Sequence, residues 1–168
     1  VYQRTLRGTI AVLLVVAAIS VLVATLWMPV LQIYGSSMSP TLEAGQIVVS
    51  VKTNQLKTGE VVAFWQGNKL LVKRVIAGPG QWVDIDMDGN VTVDGKELTE
   101  DYLDVKALGN CDVELPHQVE ESRWFLMGDN RDVSVDSRSA AIGDVSKDQI
   151  EGKIVFRIWP LKEFGSIQ

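Results

Sequence analysis

The chain opens on one long apolar block and then changes rhythm. No Asp, Glu, Lys or Arg occurs from Gly8 to Leu42, and Thr9 to Met28 is an apolar block. As a helix rising 1.5 Å per residue it is about 30 Å long, the thickness of a bilayer's hydrocarbon core. A removable leader has a shorter apolar region closed by a small-x-small site, and Ala17 and Ala18 lie too early for that. Pro29 fits a helix stop, and Trp27 and Tyr34 flank its outer end as interfacial aromatics. Arg4 and Arg7 precede the block and the next basic residue is Lys52. The positive-inside rule therefore puts the N-terminus in the cytoplasm of a single-pass protein of the cell membrane, with everything after Pro29 outside.

Beyond Val30, short β-branched runs alternate with turn signals. Strands are expected at Gln46 to Val51, Glu60 to Trp65, Lys69 to Ala77, Trp82 to Met87, Asn90 to Val93, Trp124 to Met127 and Lys153 to Trp159. Asp88-Gly89 and Asp94-Gly95 are hairpin turn dipeptides. Ser146 to Glu151 alone reads as a helical turn. The expected fold class is mostly β: a cytoplasmic tip and transmembrane anchor over 1–29, then an extracytoplasmic catalytic β domain over 30–168 with a small hairpin-rich insert at about 81–122.

With 168 residues, 46% of them hydrophobic and 22% charged, one folded domain is the default. The 16 basic and 21 acidic side chains leave a net charge of −5, which argues against nucleic acid as a partner. A single cysteine, Cys111, excludes an internal disulfide and a thiolate metal cluster, and reads as a packed side chain.

Three polar segments carry candidate chemistry. Gly35-Ser36-Ser37-Met38-Ser39-Pro40-Thr41-Leu42 offers Ser37 on a tight turn, where a nucleophile needs an exposed hydroxyl and free backbone N–H groups; Gly, Ser and Pro are also ordinary loop residues. The one histidine, His117, stands beside Pro116 in a polar run and reads as a solvated loop residue. Lysine is the other base known in serine catalysis, and it works only when burial keeps it neutral. Lys73 fits best, because strand alternation groups it with Leu71 and Val75 and puts Val72, Arg74 and Ile76 on the other face. Its competing reading is an edge-strand lysine that blocks aggregation. The third segment, Gly128 to Arg138, holds Ser134, a second hydroxyl able to orient the amine. Asp129, Arg131, Asp136 and Arg138 are expected to hold that loop in place.

These segments together resemble the type I signal peptidases, the bacterial-type Ser/Lys family. Ser37-Met38-Ser39-Pro40-Thr41-Leu42 matches its nucleophile box and Lys73-Arg74-Val75-Ile76-Ala77-Gly78-Pro79-Gly80 its lysine box. Gly128 to Arg138 matches its Gly-Asp-Asn-Arg-x-x-Ser-x-Asp-Ser-Arg box, and Gly59 to Phe64 a further strand motif. The resemblance implies a serine endopeptidase that removes signal peptides from secretory preproteins. Ser37 would be its nucleophile, Lys73 its general base and Ser134 the orienting hydroxyl, with Asp136 and Arg138 in support. It also implies that Ile33, Met38, Leu42 and Val72 line shallow pockets for alanine at substrate positions −1 and −3. Gly35 stands where some members carry an oxyanion-stabilising serine, and the short insert with one span resembles Gram-positive members. Neither metal nor organic cofactor is implied; the expected partners are signal peptides and the lipid bilayer, and the expected state is a monomer.

Two other readings compete. An autoproteolytic repressor-like Ser/Lys domain would follow a DNA-binding domain where this chain has its apolar block, and a non-enzymatic anchored scaffold leaves the three boxes to chance. Eukaryotic and archaeal signal peptidase subunits resemble a version with histidine in place of Lys73. A mitochondrial inner-membrane peptidase shares the Ser/Lys pair and the single anchor.

Overall fold

A computed structural model describes residues 2–53 and 55–167, so Val1 and Gln168, the outer ends of the two expected segments, lie outside the described residues. Helix α1, Tyr2–Trp27, contains a stretch, Leu6–Leu26, that is long and apolar enough to cross a membrane and is not buried by any of the described residues. The side chains of Arg4 and Trp27, used above to orient and anchor the span, fall outside the description.

The rest is mostly β, as the alternating pattern implies. Strands β1 (Val30–Gln32), β2 (Ile47–Val51), β3 (Val61–Gln66) and β4 (Lys69–Ala77) are followed by β5 (Trp82–Ile85), β6 (Val91–Val93), β7 (Lys96–Glu97) and β8 (His117–Gln118). Then come β9 (Arg123–Met127), β10 (Val145–Ser146), β11 (Ile150–Trp159) and β12 (Gly165–Ser166). The larger sheet runs β1-β2-β11-β3-β4-β9-β10 with β12 beside β11, and the smaller runs β7-β6-β5-β8. All the pairings are antiparallel.

All seven expected strands form, Lys69–Ala77 with its expected ends and the others with ends shifted by at most three residues. The expected helical turn is a single 3₁₀ turn at Lys147–Gln149, with Glu151 already in β11, and it does not stand alone: a second 3₁₀ turn forms at Leu161–Glu163 after Pro160. Strands β1, β7, β8, β10 and β12 span only two or three residues each, too few for alternation to show. Asp94 and Gly95 both have positive φ, the conformation that closes a tight hairpin between β6 and β7.

Three apolar clusters hold the sheets. Ile33, Met38, Leu42, Val48, Val61, Ala63 and Ile154 pack on one face of the large sheet. Val62, Phe64, Val75, Trp124, Leu126 and Val145 pack on the other. Ile76, Ala77, Phe125 and Met127 meet Val83, Ile85, Val91 and Val93 of the small sheet. The central position of β4 corrects the expectation of one core-facing side for it: every residue from Lys73 to Ala77 is buried, on both faces. Lys73 is 3% exposed and Arg74 1%, which rules out a solvated edge lysine.

Candidate active site

Ser37 sits in the loop after β1, and Lys73 rises from β4. The Lys73 amine meets Ser37 Oγ at 2.7 Å although the two are 36 residues apart. Burial lowers that amine from its ordinary 10.5 to about 8, with Asp136 and Asp129 opposing the shift and Arg138 adding to it. The serine turn depends on Gly35, whose φ of +78° disfavours any side chain even though a Cβ there would meet nothing. None of the described residues accepts the Ser37 N–H, which leaves it available to an oxyanion.

The Gly128 to Arg138 segment forms the back of the site. Asn130 donates its backbone N–H to the Ser37 carbonyl at 3.1 Å and its side-chain amide to the Ser36 carbonyl at 3.2 Å. Gly128 lies so close that a Cβ there would come within 2.1 Å of Ser134 Oγ and 2.5 Å of the Ser37 carbonyl. Ser134 is therefore beside the Ser37 backbone, with its hydroxyl buried. That hydroxyl has no hydrogen-bond partner among the described residues, so the contact to Lys73 expected above is not formed here. Asp136 and Arg138 pair bidentately at 2.9 Å, and Asp136 also accepts the Gly128 N–H at 2.9 Å. The ion pair is fully buried, within the loop that these two residues are expected to hold.

Two further buried ion pairs brace the same segment. Arg74 grips Asp129 bidentately at 2.9 and 2.7 Å, and Thr41 of the serine loop donates to the same carboxylate. Arg74, the neighbour of Lys73 in the strand, is thus committed to a buried carboxylate. Arg131 donates to the Gly128 carbonyl at 3.1 Å and pairs with Glu100. Tyr102 donates to Glu100 at 2.8 Å, and its ring lies 3.8 Å beneath the Arg74 guanidinium, a cation–π contact. Burial pushes the Tyr102 hydroxyl well above its ordinary value, helped by the adjacent Glu100 carboxylate. Asn130, Glu100 and Tyr102 are site-supporting residues that sequence reasoning does not single out.

Beside the dyad lies a groove of about 500 Å³, lined by Ile33, Met38 and Val72 among others. Leu42, expected to line it too, is instead 0% exposed and packs behind them, because its N–H closes a turn onto the Met38 carbonyl. His117 is not a solvated loop residue. It belongs to β8, tilts against Phe125 and meets the buried Asp144 at 2.9 Å, which leaves it in a structural pair.

Comparison with known proteins decides the family. The description "Signal peptidase, peptidase S26" matches residues 6–159. The chain belongs to this signal peptidase family. Signal peptidase IB of Staphylococcus aureus (strain COL) is 39% identical over 153 residues, 79% of this chain and 78% of that protein. Signal peptidase I of Bacillus licheniformis is 32% identical over 169 residues, 91% and 88% of the two chains. A solved signal peptidase I from Enterococcus faecalis V583 aligns with 61% of this chain and 98% of its own, at a TM-score of 0.49 and 25% identity. As a signal peptidase I, the chain is a serine endopeptidase, and its apolar helix fits a membrane-anchored protein.

Proposed function

We propose that Ser37 and Lys73 are the catalytic dyad of this signal peptidase and that it cuts exported preproteins after small residues in an Ala-x-Ala pattern. The observation that carries the reading is the 2.7 Å contact between the Lys73 amine and Ser37 Oγ, at a site where burial brings the amine to about 8. Neutral Lys73 takes the Ser37 proton as Oγ attacks the carbonyl of residue −1. The Ser37 N–H holds the oxyanion, and the lysine then gives its proton to the leaving amine. Water, deprotonated by the same lysine, attacks the acyl-enzyme and frees the acid, regenerating Ser37. Ser134 positions the amine once substrate has expelled water from the site. No metal or organic cofactor takes part.

Substrate adds as a strand. Among the described residues no strand pairs with the free side of β1, and β4 pairs with β9 only from Arg74 onward, so Lys69 to Lys73 present an open edge. The alternating antiparallel order β1-β2-β11-β3-β4 makes β1 and β4 run in the same direction, and both lead to the dyad. An extended peptide between them sends alternate side chains into the groove, where Ile33, Met38 and Val72 leave room for alanine. With the N-terminus cytoplasmic and residues from about 30 onward outside, the peptide arrives from the membrane end of the groove. The enzyme works as a monomer in the bilayer and has no use for nucleic acid.

The test is cleavage of a preprotein with alanine at −1 and −3. Wild type should cut it and Ser37→Ala should not, and phenylalanine at −1 should stop wild type as well. Cleavage by Ser37→Ala overturns the nucleophile, and equal cleavage of the alanine and phenylalanine substrates overturns the pocket.

A further inference from the structure

The groove is longer than two alanine subsites require. It extends from Ser37 and Lys73 past Val72 and Leu70 to Trp65 and Asn68, and its other wall runs back to Val30 at the end of the anchor. In the β3–β4 pairing, Ala63 stands opposite Val72 and Trp65 opposite Leu70. Residues directly opposed across antiparallel strands project to the same face, so Val72, Leu70 and Trp65 form consecutive steps of one floor. Trp65 is 42% exposed, and its indole N–H donates to Glu151 on β11 at 2.9 Å. The ring is therefore tethered at its polar edge, with apolar surface left open in the groove.

We infer that Trp65, with Leu70, forms a third side-chain subsite that takes a large apolar residue at substrate position −5. The inference rests on the reading of this groove as the signal-peptide site. A bound strand advances about 6.6 Å for every two residues, the same interval that separates Val72 from Leu70. With −1 beside the dyad against Met38, position −3 lies over Val72 and −5 over Leu70 and the indole. Two alanine methyl groups leave most of the groove empty, and an apolar side chain at −5 fills its far end. Covering the open face of Trp65 gains binding in proportion to the apolar area removed from water. The occupant is the last part of the substrate's own apolar segment, which approaches from the side where α1 ends.

The test uses the full chain in detergent micelles and two preproteins identical except for leucine or serine at −5, both with alanine at −1 and −3. Wild type should show a kcat/KM about tenfold higher for leucine, the size expected from burying one such side chain. Trp65→Ala should bring the leucine-to-serine ratio to about one, and Trp65→Phe should keep most of it. The ratio is taken on one enzyme preparation, so a reduced folded fraction does not alter it. Equal cleavage of the two preproteins by wild type, or an unchanged ratio in Trp65→Ala, overturns the subsite while leaving the dyad intact. Absence of Ser37-dependent cleavage of either preprotein overturns the underlying reading as well.

Discussion

Asn130 holds the Ser37 turn from behind: its backbone N–H reaches the Ser37 carbonyl at 3.1 Å, and its amide side chain donates to the Ser36 carbonyl at 3.2 Å. The serine and the third polar box, far apart in sequence, are thereby registered to each other through main chain. Asn130→Ala removes the side-chain bond only, worth about 1 kcal/mol. The expected result is a kcat lowered up to about tenfold with the melting temperature nearly unchanged. Asn130→Asp puts a carboxylate against a carbonyl and should be slower still. Steady-state kinetics on one preprotein, alongside thermal unfolding, check both; full kcat in Asn130→Asp means that the clamp does not position the serine.

Gly128 has no room for a methyl group. Its Cβ would meet Ser134 Oγ at 2.1 Å and the Ser37 carbonyl at 2.5 Å, contacts no real Cβ makes. Gly128→Ala must therefore separate the serine loop from the Ser134 turn, at a cost of about 1–3 kcal/mol and with loss of most activity. A soluble catalytic variant with wild-type turnover would show that the two loops move apart harmlessly.

The Arg131 guanidinium is buried with Glu100, a residue from the segment between β7 and β8. Removing one member of a buried pair strands the other, at about 3–5 kcal/mol. Glu100→Ala should thus unfold at markedly lower denaturant concentration. Glu100→Gln, which still offers an acceptor, should lose less. Tyr102→Phe keeps the ring under Arg74 and drops only the bond to Glu100, so its loss should be the smallest of the three. Equal midpoints for Glu100→Ala and Tyr102→Phe would falsify this order.

What the sequence reveals of this site follows from where the information lies. Ser37, Lys73 and Ser134 stand out in the sequence because they lie inside long specific boxes, and the seven expected strands because their β-branched runs are bounded by turn residues. Leu42 was legible as apolar but not as buried behind the groove, since its facing is set by a turn onto Met38. Glu100 and Tyr102 stand in a polar run without pattern, and their roles depend on tertiary pairing. One clue was available: three arginines, Arg74, Arg131 and Arg138, need buried carboxylates. Asp129 and Asp136 answer two of them, so a third acid had to come from elsewhere. His117 reads as solvated for the converse reason, because its partner Asp144 lies 27 residues away in the sequence.

Lys73 makes two pH-dependent predictions of known sign. Its amine titrates at about 8 when folded, against an ordinary 10.5. Only the neutral amine accepts the Ser37 proton, so kcat/KM should rise with pH through about 8 and then level off. Lys73→Arg and Lys73→Ala should both be inactive, since a guanidinium stays protonated and a methyl group has no base. The same shift bears on stability. Between pH 8 and 10.5 the unfolded chain holds a proton that the folded chain has released. Stability from this group therefore rises with pH across that window, and below it the folded state bears the full cost of a buried ammonium, about 3 kcal/mol. Lys73→Met removes the charge and keeps the volume, so it should be more stable than wild type at pH 7. Its advantage should shrink steadily from pH 8 to 10.5, as denaturant unfolding at several pH values would measure. A stability difference that stays constant over that range, together with activity already at its plateau by pH 6, would mean that burial does not tune this lysine and that Ser37 draws its reactivity from another base.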